Sequence, residues 1–230
     1  MKILVSDFDE SFYNDDFDKN IRLVNNFVRK GKIFIIATGR NMHDLMKTIK
    51  DKNILVSYYI CSDGSTIYDQ FLNIIYRKDL ESKDARTLYN MLVNDKNIIS
   101  PYIDTTTGLT GDVNRSANRV VGCFINYNKA LDLALEINNT FDDAYAYLSK
   151  THININNKHV NKATSLSYLK EYYNFDEFDI YTFGNDINDI SLSMYDNSYI
   201  LKSASDELKK DFECVVESFE EVITDIEQVW

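Results

Sequence analysis

The feature that most limits the fold of this chain is an alternation of short, wholly apolar runs with longer amphipathic ones, each apolar run ending in a polar turn. Ile3, Leu4 and Val5 lead into DFDESFY, and a second, isoleucine-rich run ends in ATGR. Apolar runs of this kind, without polar alternation, suit strands covered on both faces, the environment of a parallel sheet. Between these two runs Ile21, Leu23, Val24 and Phe27 recur near helical spacing, and Gly31 stops that helix. Met42, Leu45, Met46 and Ile49 mark a second helix, and LVSYYICSDG supplies a third strand. Strand, helix, strand, helix, strand at this spacing requires right-handed crossovers and a parallel sheet. The tail repeats the pattern. A helix is expected over about 162–173, a strand at FDIYTFG, a helix from near Asn188 and a strand at SYILK. SDELKKDF then reads as a helix, CVV as a short strand, and a last helix starts at Phe219.

The middle, residues 80–152, has a different character. A helix over 83–94 precedes a strand near 98–105 and the loop TTTGLTGDVNRSAN. RVVGCFINY is a second strand, KALDLALEINNT a helix, and AYAYLS with THININ a hairpin. The fold class predicted is therefore α/β: a doubly wound, Rossmann-like parallel-sheet core over 1–79 and 153–230, with an α+β cap inserted over 80–152. Such insertions lie above the carboxyl ends of the strands, where ligands bind.

Composition bounds the function. A chain of 230 residues, 44% hydrophobic and 27% charged, suits a soluble globule with a sizeable core. A net charge of −11 argues against nucleic acid or an anionic membrane as partner. It also demands a metal or local cations if the substrate is anionic. Cys61, Cys123 and Cys214 are widely spaced, without a CxxC pair, and read as reduced, buried thiols. With no signal peptide or membrane-length apolar run, a cytoplasmic protein is expected. Neither GxGxxG nor GxxxxGK[ST] occurs, so the usual dinucleotide and nucleotide loops are missing.

The chemistry gathers at strand ends. Asp7 and Asp9 follow the first strand, Thr38, Gly39 and Arg40 the second, Asp63 and Gly64 the third, and GNDIND follows FDIYTFG. Side chains two apart on extended backbone point the same way, so Asp7 and Asp9 crowd one spot and repel. A cation or reacting group between them resolves that conflict. As a calcium loop the stretch fails, because Phe12 and Asp18 stand where glycine and glutamate are needed. Taken alone, DFDES also reads as a solvated acidic loop, ATGR as an ordinary turn, and GNDIND as a turn with a helix cap. Together, carboxylates, backbone amides, a hydroxyl and Lys162 suit the holding of a phosphoryl group beside Mg²⁺. A carboxylate can attack phosphorus while its neighbour moves protons.

DFDES, ATGR, Lys162 and GNDIND, in this order, resemble the four motifs of the haloacid dehalogenase-like hydrolases. The position of the insertion resembles the type 2 cap of their Cof-type phosphatases. The resemblance implies Asp7 as nucleophile and metal ligand, and Asp9 as acid/base that also gives its backbone carbonyl to Mg²⁺. It implies Thr38, Gly39, Arg40 and Asn188 as phosphate binders, Lys162 as neutraliser of nucleophile and phosphate, and Asn185 and Asp189 as metal residues. Glu10 stands where the family usually has glycine, Ser11 replaces threonine, and Asn185 replaces an aspartate. The expected activity is Mg²⁺-dependent hydrolysis of a small phosphorylated metabolite, such as a sugar phosphate, through an aspartyl phosphate. A phosphomutase of the phosphomannomutase kind and a non-catalytic phosphate-binding regulator are the alternatives. Arg115 and Arg119, flanking a loop of the insertion, are candidates for reaching the substrate from the cap. The histidines have no metal-ligand spacing, and the oligomeric state is open.

Overall fold

In the computed structural model, which describes residues 1–228, the chain opens with β1 (Ile3–Asp7), α1 (Phe17–Arg29), β2 (Ile33–Ala37), α2 (Met42–Ile49) and β3 (Tyr58–Cys61). A hairpin, β4 (Thr66–Asp69) and β5 (Ile74–Arg77), comes next. The inserted stretch contributes α3 (Ser82–Asn94), β6 (Ile98–Thr105), β7 (Gly108–Thr110), β8 (Arg119–Phe124), α4 (Tyr127–Thr140), β9 (Ala144–Ser149) and β10 (His152–Asn157). The chain then returns through α5 (Lys162–Tyr173), β11 (Ile180–Gly184), β12 (Asn197–Leu201), β13 (Cys214–Val216) and α6 (Phe219–Gln228).

The large sheet runs β13-β12-β11-β1-β2-β3-β4-β5. From β13 to β3 every pairing is parallel, as the unbroken apolar runs require, and β1 is buried along its whole length. β4 and β5 add an antiparallel edge that the sequence reading missed. Their turn carries no glycine or proline. Asp69 Oδ1 instead accepts from the amides of Phe71 and Asn73, and Leu72 takes a φ of 67°. A side chain doing the work of a turn leaves little trace in composition.

Helices cover both faces of the sheet. On one side α1, α2 and α6 bury Phe8, Phe12, Phe27, Phe34 and Phe219 in an aromatic cluster. On the other, α5 brings Leu166 and Leu169 against Ile3, Val5, Ile35 and Ile60. Each such side chain stabilises the fold by about 1.5–3 kcal/mol relative to exposure.

The second sheet, β7-β6-β8-β10-β9, is antiparallel throughout. α3 and α4 cover one face through Leu88, Leu92, Val120, Ile137, Ile153 and Ile155. Alternation turns Arg119, Val121 and Cys123 of β8, and His152, Asn154 and Asn156 of β10, to the other face. The boundary expected at 152/153 cuts through a strand: β10 stays paired with β9 as far as Asn157, so the small sheet ends there. Three further expectations need correction. The helix expected from Asn188 is a 3-10 segment, Ile187–Met194, and SDELKKDF forms only a 3-10 turn at Leu208–Lys210. Cys61 is buried, but Cys123 and Cys214 are partly exposed. Among the described residues no helix is long and apolar enough to cross a membrane.

Candidate active site

Lys162 is the centre of charge. Its ammonium, wholly buried, donates to Asp7 Oδ1 and to Asp189 Oδ1, each at 2.6 Å. The chain builds this position locally. Asn161 caps α5 in a reciprocal pair with Thr164, which fixes Lys162 as the first helical residue. Gly64, at φ +104°, lets that cap approach: a Cβ there would stand 2.3 Å from the Asn161 carbonyl oxygen. Burial disfavours the ammonium, but Asp189 and Asp7 outweigh it and hold its pKa above the ordinary lysine value.

Asp7 ends β1, the central strand. Burial, then Asp189 and more weakly Asp9, push its carboxyl up to about 8 against the opposing pull of Lys162. Asp189 differs from its expected ligand role. Its Oδ1 faces Lys162, and its Oδ2 accepts from the amides of Asn185 at 2.9 Å and Asp186 at 3.1 Å. The carboxylate therefore ties the GNDIND loop to Lys162. Gly184 makes room for it, since a Cβ there would lie 2.4 Å from Asp189 Cβ.

Asp9 sits beside Asp7 but is held differently. Arg40 grips it in a two-pronged pair, Nη2 to Oδ1 at 2.5 Å and Nε to Oδ2 at 2.9 Å. The guanidinium also lies over the Phe8 and Tyr13 rings, 5.1 and 5.7 Å from their centroids. Arg40, expected on phosphate, is thus paired with Asp9 in this arrangement. Thr38 is buried, its hydroxyl accepting from the Arg40 amide. Gly39 lies against Asp63 and Asn188: a Cβ there would come within 3.1 Å of Asp63 Oδ1. Asn188 donates to that same oxygen at 2.9 Å.

The second sheet roofs this group. Arg119 donates to Asp63 at 2.6 Å and, through Nε and Nη2, to Asp104 Oδ2 at 3.0 and 2.8 Å. Tyr147 donates to Asp63 Oδ2 at 2.6 Å. Asn41 and Ser62 complete the hydrogen bonding of Asp104. The two carboxylates move in opposite directions. At Asp104 burial wins and raises the pKa; at Asp63 burial is outweighed by Arg119, Lys162, Tyr147 and Asn188, which lower it. At the tip of the β9–β10 hairpin, Ser149 donates to Asp186 at 2.8 Å and Lys150 to Glu10 at 2.5 Å.

A cavity of about 300 Å³ lies between roof and sheet. Asp7, Asp9, Gly39, Arg40, Asn185 and Asn188 line it from below. Tyr102, Arg119, Tyr147, Lys150, His152 and Asn154 line it from above. Arg115 lies apart, its guanidinium on Thr107 in an exposed loop. The sequence reading gave no role to Tyr147, Lys150, His152 or Asn154. The trace of Tyr147, His152 and Asn154 was the two-residue period of AYAYLS and HININN, which sets polar groups along one face; Lys150, in the turn between them, left none.

The donors at this spot suit a hard cation. Among the described residues no group of three or more His, Cys, Asp or Glu side chains stands ready to hold a metal ion. What lines the cavity instead is a mixed oxygen set: the Asp7 carboxylate, Asp9, and the Asn185 amide. Mg²⁺ takes such sets, keeping several waters and one or two carboxylates. Burial is the first cause that raises Asp7; the further push from Asp189 and Asp9 is repulsion that a divalent cation would relieve.

Comparison with known proteins gives this geometry a lineage. The family model of the haloacid dehalogenase-like hydrolases matches residues 4–112 and 110–222. A 5-amino-6-(5-phospho-D-ribitylamino)uracil phosphatase of Bacillus subtilis is 25% identical, over 84% of this chain and 80% of its own. An uncharacterized protein of Mycoplasma capricolum is 26% identical over 90% and 92%. Among solved structures, a haloacid dehalogenase-like hydrolase from B. subtilis superposes with a TM-score of 0.87 over the whole of both chains, at 13% identity. A sugar phosphatase of haloacid dehalogenase subclass IIB gives 0.80 over 99% of this chain and 98% of its own, at 14% identity. With a buried Asp–Lys–Asp cluster at the carboxyl end of a parallel sheet and a family match over most of its length, the chain belongs to the haloacid dehalogenase-like hydrolases.

Proposed function

We propose that the protein is a Mg²⁺-dependent phosphatase of small phosphate monoesters, sugar phosphates or similar metabolites, working through an aspartyl phosphate on Asp7. One observation carries the reading: Asp7 and Asp9 face a roofed cavity with a wholly buried lysine fixed behind the first of them. A cavity of about 300 Å³ is at the small end of ligand sites and suits a metabolite rather than a polymer. The phosphatases named among the relative and the structural neighbour point the same way.

Asp7 attacks phosphorus, and the bond from phosphorus to the leaving oxygen breaks as the new bond forms. Asp9 gives that oxygen its proton, then takes one from the water that cleaves the acyl phosphate, releasing inorganic phosphate and free Asp7. Lys162 holds the Asp7 carboxylate in one orientation and balances its charge. Arg40 fixes Asp9 at rest; an entering phosphate offers the guanidinium a second anion and so frees a carboxylate oxygen to carry the proton. When bound, Mg²⁺ would be held by Asp7, the Asp9 carbonyl and Asn185, and would supply positive charge to the transferring phosphoryl oxygens. Thr38, Gly39 and Asn188 form the floor on which those oxygens rest. In this reading the protein works in the cytoplasm, where its thiols stay reduced.

The test is a phosphate-release screen over phosphorylated metabolites with Mg²⁺, using Asp7→Asn as the control. The amide keeps the shape of the site and cannot attack phosphorus. Release by wild type and none by the variant is expected. Equal release by both removes Asp7 as nucleophile, and isomerised substrate without free phosphate selects the phosphomutase instead.

A further inference from the structure

Glu10 is held in an unusual state. Its φ is 66°, in the left-handed region that a non-glycine residue adopts only at a cost. Its carboxylate has two partners, one on each side of the cavity mouth. Oε1 takes the ammonium of Lys150 from the hairpin tip above. Oε2 accepts from Asn185 Nδ2 at 3.3 Å below. The ion pair does not account for the strain, because both side chains are more than half exposed, and exposed pairs contribute little to stability.

The Asn185 contact is the more informative one. The backbone amide of Asn185 is already fixed by Asp189 Oδ2, so the loop needs no help from Glu10 to hold its place. What Glu10 determines is the side chain. With the NH₂ group turned to Glu10, the amide oxygen is the end left for another partner, and among the described residues nothing donates to it. An amide that donates to a carboxylate is also polarised, which makes its oxygen a better cation ligand.

We infer that Glu10 is a positioning residue for the divalent cation: it orients and polarises the Asn185 amide oxygen, and places beside the site the negative charge that a neutral residue 185 lacks. The inference rests on the Mg²⁺ reading of the site and adds to it a residue at which this chain departs from the family pattern. Glu10 and Asn185 then form one functional pair, and the effect of changing either depends on the other.

Calorimetric titration of the unliganded full chain with Mg²⁺ tests this without recourse to turnover. Glu10→Gln keeps the length but loses the charge and one of the two acceptor oxygens that Lys150 and Asn185 use, and should weaken Mg²⁺ binding about tenfold, the scale of outer-shell changes. Glu10→Gly should weaken it as much while removing the backbone strain, so its melting temperature should not fall. Asn185→Asp should recover about tenfold in the Glu10→Gln background and distinctly less in wild type, where the new carboxylate would face Glu10. Wild-type affinity in both Glu10 variants, or an equal gain from Asn185→Asp in both backgrounds, overturns the inference. If wild type binds no Mg²⁺ at all, the metal reading falls and this inference falls with it. If wild type binds Mg²⁺ and releases phosphate while Glu10→Gln binds it equally well, only the inference falls.

Discussion

Replacing Lys162 by Met, a side chain of similar volume, removes one charge from a site that water does not reach. The ammonium is wholly buried, Asp189 likewise, and Asp7 nearly so, with both contacts at 2.6 Å. Breaking a buried pair leaves an uncompensated charge and costs about 3–5 kcal/mol. Here two carboxylates lose one counter-ion, so the upper half of that range is expected at alkaline pH without metal. Against a typical total of about 5–15 kcal/mol, the variant still folds, with its urea midpoint lowered by about 1–2 M. The deficit should depend on pH in a definite sense. The folded-state pKa of Asp7 is already raised to about 8, above its ordinary value of 3.8. Between those values the folded protein holds a proton that the unfolded chain has lost, so this group's contribution to stability declines as pH rises through the window. Removing Lys162 raises the folded value further and extends the decline to higher pH. Urea unfolding of both proteins in EDTA at pH 5 and pH 8.5 should show the larger gap at pH 8.5, and added Mg²⁺ should narrow it. Equal midpoints at pH 8.5, or a larger gap at pH 5, would refute the electrostatic account of this cluster.

Asp9→Asn should lower phosphate release by roughly 10²-fold for alkyl phosphates and by less for p-nitrophenyl phosphate, whose leaving group needs no proton. Equal losses on the two substrates would remove Asp9 as the acid. Arg119→Met leaves Asp63 and Asp104 without their shared cation and should destabilise the protein by about 3–5 kcal/mol, whereas Arg115→Ala should stay within about 0.5 kcal/mol of wild type. Chemical denaturation of both variants checks this pair, and comparable effects would contradict the roof geometry. Gly184→Ala drives a methyl to 2.4 Å from Asp189 Cβ and should cost at least about 1–3 kcal/mol by thermal melting. A melting temperature equal to wild type would mean that Asp189 does not pack there.

The parallel core was legible in the sequence because burial on both faces leaves strands no polar alternation, and β1, β2 and β11 have none. The helix expected over about 162–173 and the strand expected near 98–105 both form where they were placed, as Lys162–Tyr173 and Ile98–Thr105. The residues on the floor of the candidate site were also legible as a group, since a parallel sheet sends every strand's carboxyl end to one edge. Their pairing was not. Nothing in the order of residues says that Arg40 closes on Asp9, that Asp189 turns both oxygens to Lys162 and the loop amides, or that Arg119 is buried while Arg115 is not. Those outcomes depend on distances of a few ångströms between segments up to 56 residues apart, as with Arg119 and Asp63. Charge pairing inside a protein is decided by which partner arrives in reach with its water removed, and only the packed tertiary structure sets that.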